Sequence, residues 1–279
     1  MTSSFLILTP DVPALAMSVT STTEFSEDYP IYSSVFGRGY LTSRLSESVS
    51  SVSITFDLGS GASRTIDHLV VGGIKSLLST NVNKVVLQGS SDGATWANQL
   101  GTVSSFASKI VDGPNRDTVI FTQARNDDLA GTLAAYRYFR VTMQTSSGLS
   151  NFPFSKLYFG QAFDMGKEPD NYDLKLEDSI NADTWQYARG HSIMSKAFYP
   201  KHQITVEWDG VPDAKANEFF QKILSDPWRN TVYLYTQNYQ DPLYDNTLML
   251  CRVVPDSCSI TKLNDVDNWN DIVAVFEEV

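Results

Sequence analysis

The chain has 279 residues, 42% hydrophobic and 12% aromatic, enough for packed cores in two ordinary domains or one large β-domain. Its net charge of −11 argues against a dedicated nucleic-acid binder, because an acidic surface repels phosphate backbones. Only 19% of residues are charged, and Ser and Thr are abundant, which suits β-structure and turns more than long exposed helices.

At the N-terminus, Phe5-Leu6-Ile7-Leu8 is a short apolar run with no basic flank, interrupted by Pro10, Asp11 and Pro13, and does not read as a secretory signal peptide. No stretch approaches the ~18–20 apolar residues of a membrane helix. The expectation is a soluble chain made in the cytoplasm, without membrane insertion. Residues 5–19 read as an opening strand, a Pro-bounded turn and a second short strand. Residues 24–40 form a loop by their Pro and Gly content, yet they carry Phe25, Tyr29, Tyr32, Phe36 and Tyr40 beside Arg38. Such a loop either tucks its aromatics under the body as a plug or holds them out as contacts.

Three β-patterns follow. Ser53–Gly59 alternates apolar and polar residues. Val85–Trp96 is a β-branched run that ends in Asp92-Gly93, a pair suited to positive φ at a tight turn, with Trp96 just beyond. Tyr136–Met143 alternates again and is expected to pair with them. Between these, His68 sits in an apolar strand and reads as a structural histidine. Strands are also expected at 103–111, 118–121 and 155–160.

The succession Ile-Thr-Phe-Asp-Leu-Gly (54–59), Arg-Thr-Ile-Asp (64–67), Gly-Ser-Ser-Asp-Gly-Ala-Thr-Trp (89–96) and Tyr-Arg-Tyr-Phe-Arg-Val (136–141) resembles the galactose-binding-like jelly roll of discoidin or coagulation-factor type C domains. The flanking cysteines of the extracellular animal members are missing. The resemblance implies a β-sandwich over residues 1–163 whose loops differ from member to member, so that the fold does not name the ligand.

Residues 164–178 read as a charged, proline-containing linker. Beyond it, Gln203–Gly210 alternates, and Val211-Pro212-Asp213 opens a helix with an apolar stripe of Ala216, Phe219, Phe220, Ile223 and Leu224 that Pro227 ends. Strands at 231–236, 248–254 and 269–277 complete a second β-domain over residues 179–279 with one packed helix. This layout resembles the tube-like and belt domains of tailed-bacteriophage tail proteins, whose sheets close into a ring. The paired resemblances imply a minor or distal tail protein of a virion tail tip. It would self-associate as a hexameric or trimeric ring, meet tube and hub proteins, and display the jelly roll toward host-surface glycans. The alternative is a carbohydrate-binding module or adhesin with no ring-forming role.

Catalytic chemistry is not expected. Glu207 and Asp209 stand two apart on a strand, about 7 Å, a spacing compatible with a glycosidase pair, but they abut a turn where acids are ordinary. His191 and His202 lack a supporting set of metal ligands. No phosphate loop or nucleophile elbow is present, and no cofactor or metal is implied. Cys251 and Cys258 could close a hairpin disulfide, yet two buried or half-buried thiols are the expected state. The candidate carbohydrate-binding residues are Tyr29, Tyr32, Phe36, Arg38 and Tyr40, on the reading that their loop holds them out.

Overall fold

The computed structural model describes residues 5–9, 16, 18–25, 27–28, 30, 43–72, 82–101, 118–122, 134–149, 153–154, 156–177, 182–186, 192–196, 201–225, 231–236, 247–262 and 268–278. They are mainly β-strands, and the chain divides into two compact units, 1–166 with 233–249 and 167–232 with 250–279.

The first unit contains β1 (Phe5–Leu8), β2 (Ser18–Ser21), β3 (Ser43–Arg44), β4 (Val49–Asp57), β5 (His68–Gly72) and β6 (Val82–Ser90). It continues with β7 (Ala97–Gly101), β8 (Thr118–Thr122), β9 (Tyr138–Leu149), β10 (Pro153–Phe154), β11 (Lys156–Gly160) and β12 (Ala162–Phe163). A five-stranded sheet in the order β2-β4-β9-β6-β7 and a three-stranded sheet in the order β11-β5-β8 are antiparallel throughout. Side chains of both sheets share one apolar core, so the unit is a five-on-three β-sandwich, the expected jelly roll. The Ser53–Gly59 and Val85–Trp96 patterns do not pair with each other. Each pairs with β9, which lies between them.

The register across the three central strands builds the core row by row. Val52, Met143 and Val85 form one row; Ile54, Val141 and Leu87 form the next. In the third row Phe56 and Phe139 are followed by Gly89. A Cβ on Gly89 would lie 2.1 Å from Cδ2 of Tyr136, so the missing side chain is what admits the tyrosine ring. Tyr136 in turn stands edge-on to Phe139 at 6.5 Å. From the facing sheet, Phe159 contributes edge contacts to Phe56 at 4.8 Å and Phe139 at 6.2 Å.

At the same end of the sandwich, Arg137 clamps Asp57 with two donors, Nε to Oδ1 at 2.7 Å and Nη2 to Oδ2 at 2.8 Å. Gly59 N–H adds a third hydrogen bond to Oδ1, and the Arg137 guanidinium lies 4.5 Å from the Tyr138 ring centroid. The end of β4 is thereby fastened to the start of β9. The Arg137 hydrogen bonds hold the Asp57 carboxyl below its ordinary value of 3.8.

Residues 91–96 connect β6 to β7. A two-residue turn at Asp92-Gly93 would need positive φ at both positions, but among the described non-glycine residues only Asn268 has it. Gly93 alone turns left-handed, at φ 74°, and the Asp92 side chain does the rest. Its Oδ1 accepts from Ala94 N–H and Thr95 N–H, both at 2.8 Å, and from the buried Ser90 hydroxyl. Ser90 Oγ accepts from Asp92 N–H and Gly93 N–H. The expected Asp92-Gly93 turn is present, with the positive φ at Gly93 and local carboxylate bonding by Asp92 holding the rest of the connection.

On β5, Leu69 and Val71 face the shared core. His68, Val70 and the neighbouring Tyr158 are buried as well, and Tyr158 OH donates to Leu8 O on β1 at 2.8 Å. β1 pairs with β12 on one side and with residues 233–236 on the other.

The second unit holds β13 (Asn171–Glu177), β14 (Ala182–Gln186), β15 (Ser192–Lys196) and β16 (Lys201–Pro212), then helix α1 (Asp213–Phe219). β17 (Thr231–Thr236) and β18 (Thr247–Val253) each straddle the division between units; β19 (Ser259–Lys262) and β20 (Trp269–Glu278) close the chain. β20 runs beside β16, β19 and the 251–253 part of β18, and β13 pairs with β16. The expected linker at 164–178 therefore includes a strand: Tyr172, Leu174 and Leu176 alternate with polar partners and take the edge beside β16.

Ile204, Val206 and Trp208 oppose Phe276, Ala274 and Ile272, and all six are buried. After Trp208 the register shifts through Gly210, whose φ is 62°. α1 starts on Asp213, whose N–H donates to Asn268 O and whose Oδ1 accepts from buried Asn270 at 2.6 Å. The expected stripe holds for Ala216, Phe219 and Ile223, with Phe219 against Trp208 at 6.1 Å. It fails at Phe220, which is 52% exposed. Residues 220–224 form a π-helical turn, with Ser225 N–H reaching back to Phe220 O.

Three outcomes follow from this packing. Asp57→Asn should lower the melting temperature at pH 7. Because the Asp57 carboxyl titrates lower in the folded than in the unfolded chain, its contribution is present above about pH 4 and is lost as pH falls through the folded value, so variant and parent should converge in acid. Gly89→Ala should cost about 3 kcal/mol or more by urea unfolding, since the Tyr136 ring must leave its place. Gly93→Ala, whose Cβ would meet only the Tyr138 ring at 3.6 Å, should cost about 1–2 kcal/mol for its positive φ.

Candidate functional site

Alternation along the central strands sends every second side chain to the outer face of the five-stranded sheet. With Phe139, Val141 and Met143 inward, Arg140, Thr142 and Gln144 point outward, next to Ser51, Ser53 and Thr55 of β4. Ser53 and Thr142 share a hydroxyl–hydroxyl hydrogen bond of 2.8 Å. Toward the other edge, Arg140 donates from Nε and Nη2 to a single oxygen, Oε1 of Gln88, at 3.0 and 2.7 Å. Gln88 Nε2 donates in turn to Asn98 Oδ1 at 2.8 Å. The Arg140 guanidinium lies 4.2 Å from the centroid of the Trp96 ring. Trp96 thus anchors the residue 91–96 connection on Arg140, and a row of amide, guanidinium and indole groups faces solvent. Partial burial pushes the Arg140 pKa down.

This row was only half visible in the sequence. Trp96 and Arg140 stood in recognisable motifs, whereas Gln88 and Asn98 did not. The signal that finds them is parity: Gln88 is one step from core Leu87 and opposite Arg140 in register.

The candidate sugar-contacting residues Tyr29, Tyr32, Phe36, Arg38 and Tyr40 lie outside the described residues. Several strand ends of the first unit are placed. Ser43 pairs with Phe154, Gly72 pairs with both Thr118 and Lys156, Val82 pairs with Thr145, and Val49 pairs with Leu149. These ends lie opposite the Asp57–Arg137 clamp. The chain therefore enters or leaves segments 31–42, 73–81, 102–117 and 150–152 at one end of the sandwich.

The remaining chemical candidates are accounted for locally. His68 is fully buried, and its Nδ1 lies 2.9 Å from Asp67 Oδ1, which also accepts from Ala162 N–H. Glu207 is half-buried and accepts from Asn171 Nδ2 at 3.2 Å. Asp209 is exposed; its N–H donates to Asp170 and its carbonyl accepts from Lys167. These contacts fix the strand end. His191 lies outside the described residues, and His202 sits in β16 opposite Leu176. Among the described residues no group of three His, Cys, Asp or Glu is placed to hold a metal. Cys251 and Cys258 are free thiols, both raised by burial, and Cys258 bonds the backbone of Val254 and Val275.

No family model matches the chain, and no curated protein does. Solved structures match about half of it. The chitosan-binding module 1 of a chitosanase/glucanase from Paenibacillus sp. IK-5 is 15% identical, with a TM-score of 0.38 over 53% of this chain and 98% of that module. CpGH89CBM32-6 of Clostridium perfringens is 12% identical, with a TM-score of 0.34 over 53% of this chain and 98% of its own. A GH29 fucosidase of Ruminococcus gnavus in complex with fucose is 14% identical, with a TM-score of 0.36 over 52% of this chain, and the match spans 25% of the fucosidase. The chain is similar, over about half its length, to carbohydrate-binding modules and to a part of a larger glycosidase.

Proposed function

We propose that the N-terminal sandwich binds carbohydrate without cleaving it. The observation that carries this reading is the gathering of strand ends at one end of the unit. The segment reaching that end through Ser43 holds Tyr29, Tyr32, Phe36, Arg38 and Tyr40. Aromatic faces meet the C–H faces of sugar rings, and a guanidinium donates to ring hydroxyls, so this set has the residue types such a site needs. The likeness to carbohydrate-binding modules agrees with the reading. The expected outcome is glycan-array binding by the full chain that weakens about tenfold, the equivalent of 1.4 kcal/mol, in Tyr32→Ala or Tyr40→Ala. Unchanged binding in both variants would return the aromatics to a plug.

A second reading concerns the C-terminal unit: a structural component of a phage tail tip, assembled in the virion as a ring beside tube and hub proteins. The favouring observation is that Phe220 and Trp269 are 52% and 43% exposed there, large apolar side chains of the kind that subunit contacts bury. Light scattering at tens of micromolar should then give a trimer or hexamer that Phe220→Ser dissociates. A strict monomer at that concentration, absent from virions, would remove this reading and leave the sugar-binding one standing.

A further inference from the structure

The outer face of the five-stranded sheet holds a cation without an anion. Arg140 is half-buried, and its bonded partners are neutral: Gln88 Oε1 takes both Nε–H and Nη2–H, and the Trp96 ring lies against the guanidinium. Elsewhere in the described residues the same two-donor arrangement is answered by carboxylates, Asp57 for Arg137 and Glu277 for Arg252. Around Arg140 the sheet offers hydroxyls and amides: Ser53, Thr55, Thr142, Gln144 and Asn98. Asp57, on the same strand face, is already held by Arg137. In a chain with 32 acidic and 21 basic residues, a partly desolvated guanidinium surrounded by neutral groups is an uncompensated charge.

We infer that Arg140, with Trp96, Gln88 and the surrounding hydroxyl-bearing face, forms a second glycan-binding surface that takes a carboxylated sugar, its carboxylate docking on the Arg140 guanidinium. This rests on the reading of the sandwich as a carbohydrate-binding unit and places an acidic residue of the glycan on the outer face of the sheet. A planar guanidinium matches a carboxylate fork, and the Trp96 and Gln88 contacts hold it in place, so little side-chain freedom is lost on binding. Ser53, Thr142 and Gln144 supply donors and acceptors along the path of an extended sugar chain. Trp96 and Arg140 also anchor the residue 91–96 connection. The ligand role is separable from that one because it depends on the guanidinium being unneutralised.

The test uses the full chain and oligogalacturonate as probe, with a neutral oligoglucan beside it. Gln88→Glu leaves Arg140 and Trp96 in place but gives the guanidinium an internal carboxylate. Its melting temperature should be equal or higher, and its affinity for oligogalacturonate at least tenfold lower. Thr142→Asp, which sets a carboxylate on the solvent side of the same face, should give the same loss and serves if Gln88→Glu misfolds. Oligogalacturonate binding unchanged in a folded Gln88→Glu or Thr142→Asp would overturn the inference. Binding of neutral sugars alone by the parent would overturn it too while leaving the carbohydrate reading intact. Silence across all glycans would remove both.

Discussion

Everything in the first unit depends on the register of β9. It is the one strand flanked on both sides by long neighbours, and its inward residues Phe139, Val141 and Met143 complete every row of the core. A slip of one residue would turn those three to solvent and drive Arg140 and Thr142 between the sheets. Two devices at its start oppose the slip. The Arg137 fork meets Asp57 at a single alignment, and Tyr136 fills a space that exists only opposite Gly89. Side-chain chemistry just before the strand thereby sets the position of the whole strand.

The alternating patterns of β4, β6 and β9 were legible because hydrophobicity with a period of two is imposed by burial on one face. Their neighbourhood was less so: two well-formed strands separated by a connection invite direct pairing, and nothing local announces that a strand fifty residues later will come between them. The Asp92 turn shows a related limit. Asp-Gly reads as a turn by backbone preference, but Ser90 and Asp92 settled it through side-chain bonds, and Ser-x-Asp is too common to announce that. In the second unit the apolar stripe held at Ala216, Phe219 and Ile223 and failed at Phe220, where the helix changes pitch with no residue signature such as proline. The acidic segment before it read as linker because its charges outnumber its apolar residues, although an edge strand needs only every second position apolar.

The candidate sites divide in the same way. Aromatic content singled out Tyr29 to Tyr40, and motif singled out Trp96. The polar row joining Trp96 to Gln88 and Asn98 exists only once the strands are paired, since Arg140 and Gln88 are fifty-two positions apart in the chain. Pairwise chemistry of this kind is invisible to spacing. Conversely, Glu207 and Asp209 had a suggestive spacing, and the contacts around them are those of a strand end, Asn171 Nδ2 on Glu207 and Asp170 on the Asp209 N–H.

β1 carries a practical lesson for anyone cutting this protein into parts. Phe5, Ile7 and Leu8 are buried, and the strand is paired on both flanks, by residues 162–163 and by residues 233–236. The first unit is therefore discontinuous in sequence. A fragment ending near residue 166 would keep the sandwich core yet strip one side of β1, leaving a row of open backbone donors and acceptors beside apolar side chains, the kind of edge that seeds aggregation. An isolated module would be better made with the 233–236 strand supplied through a short artificial connection, or as the uncut chain.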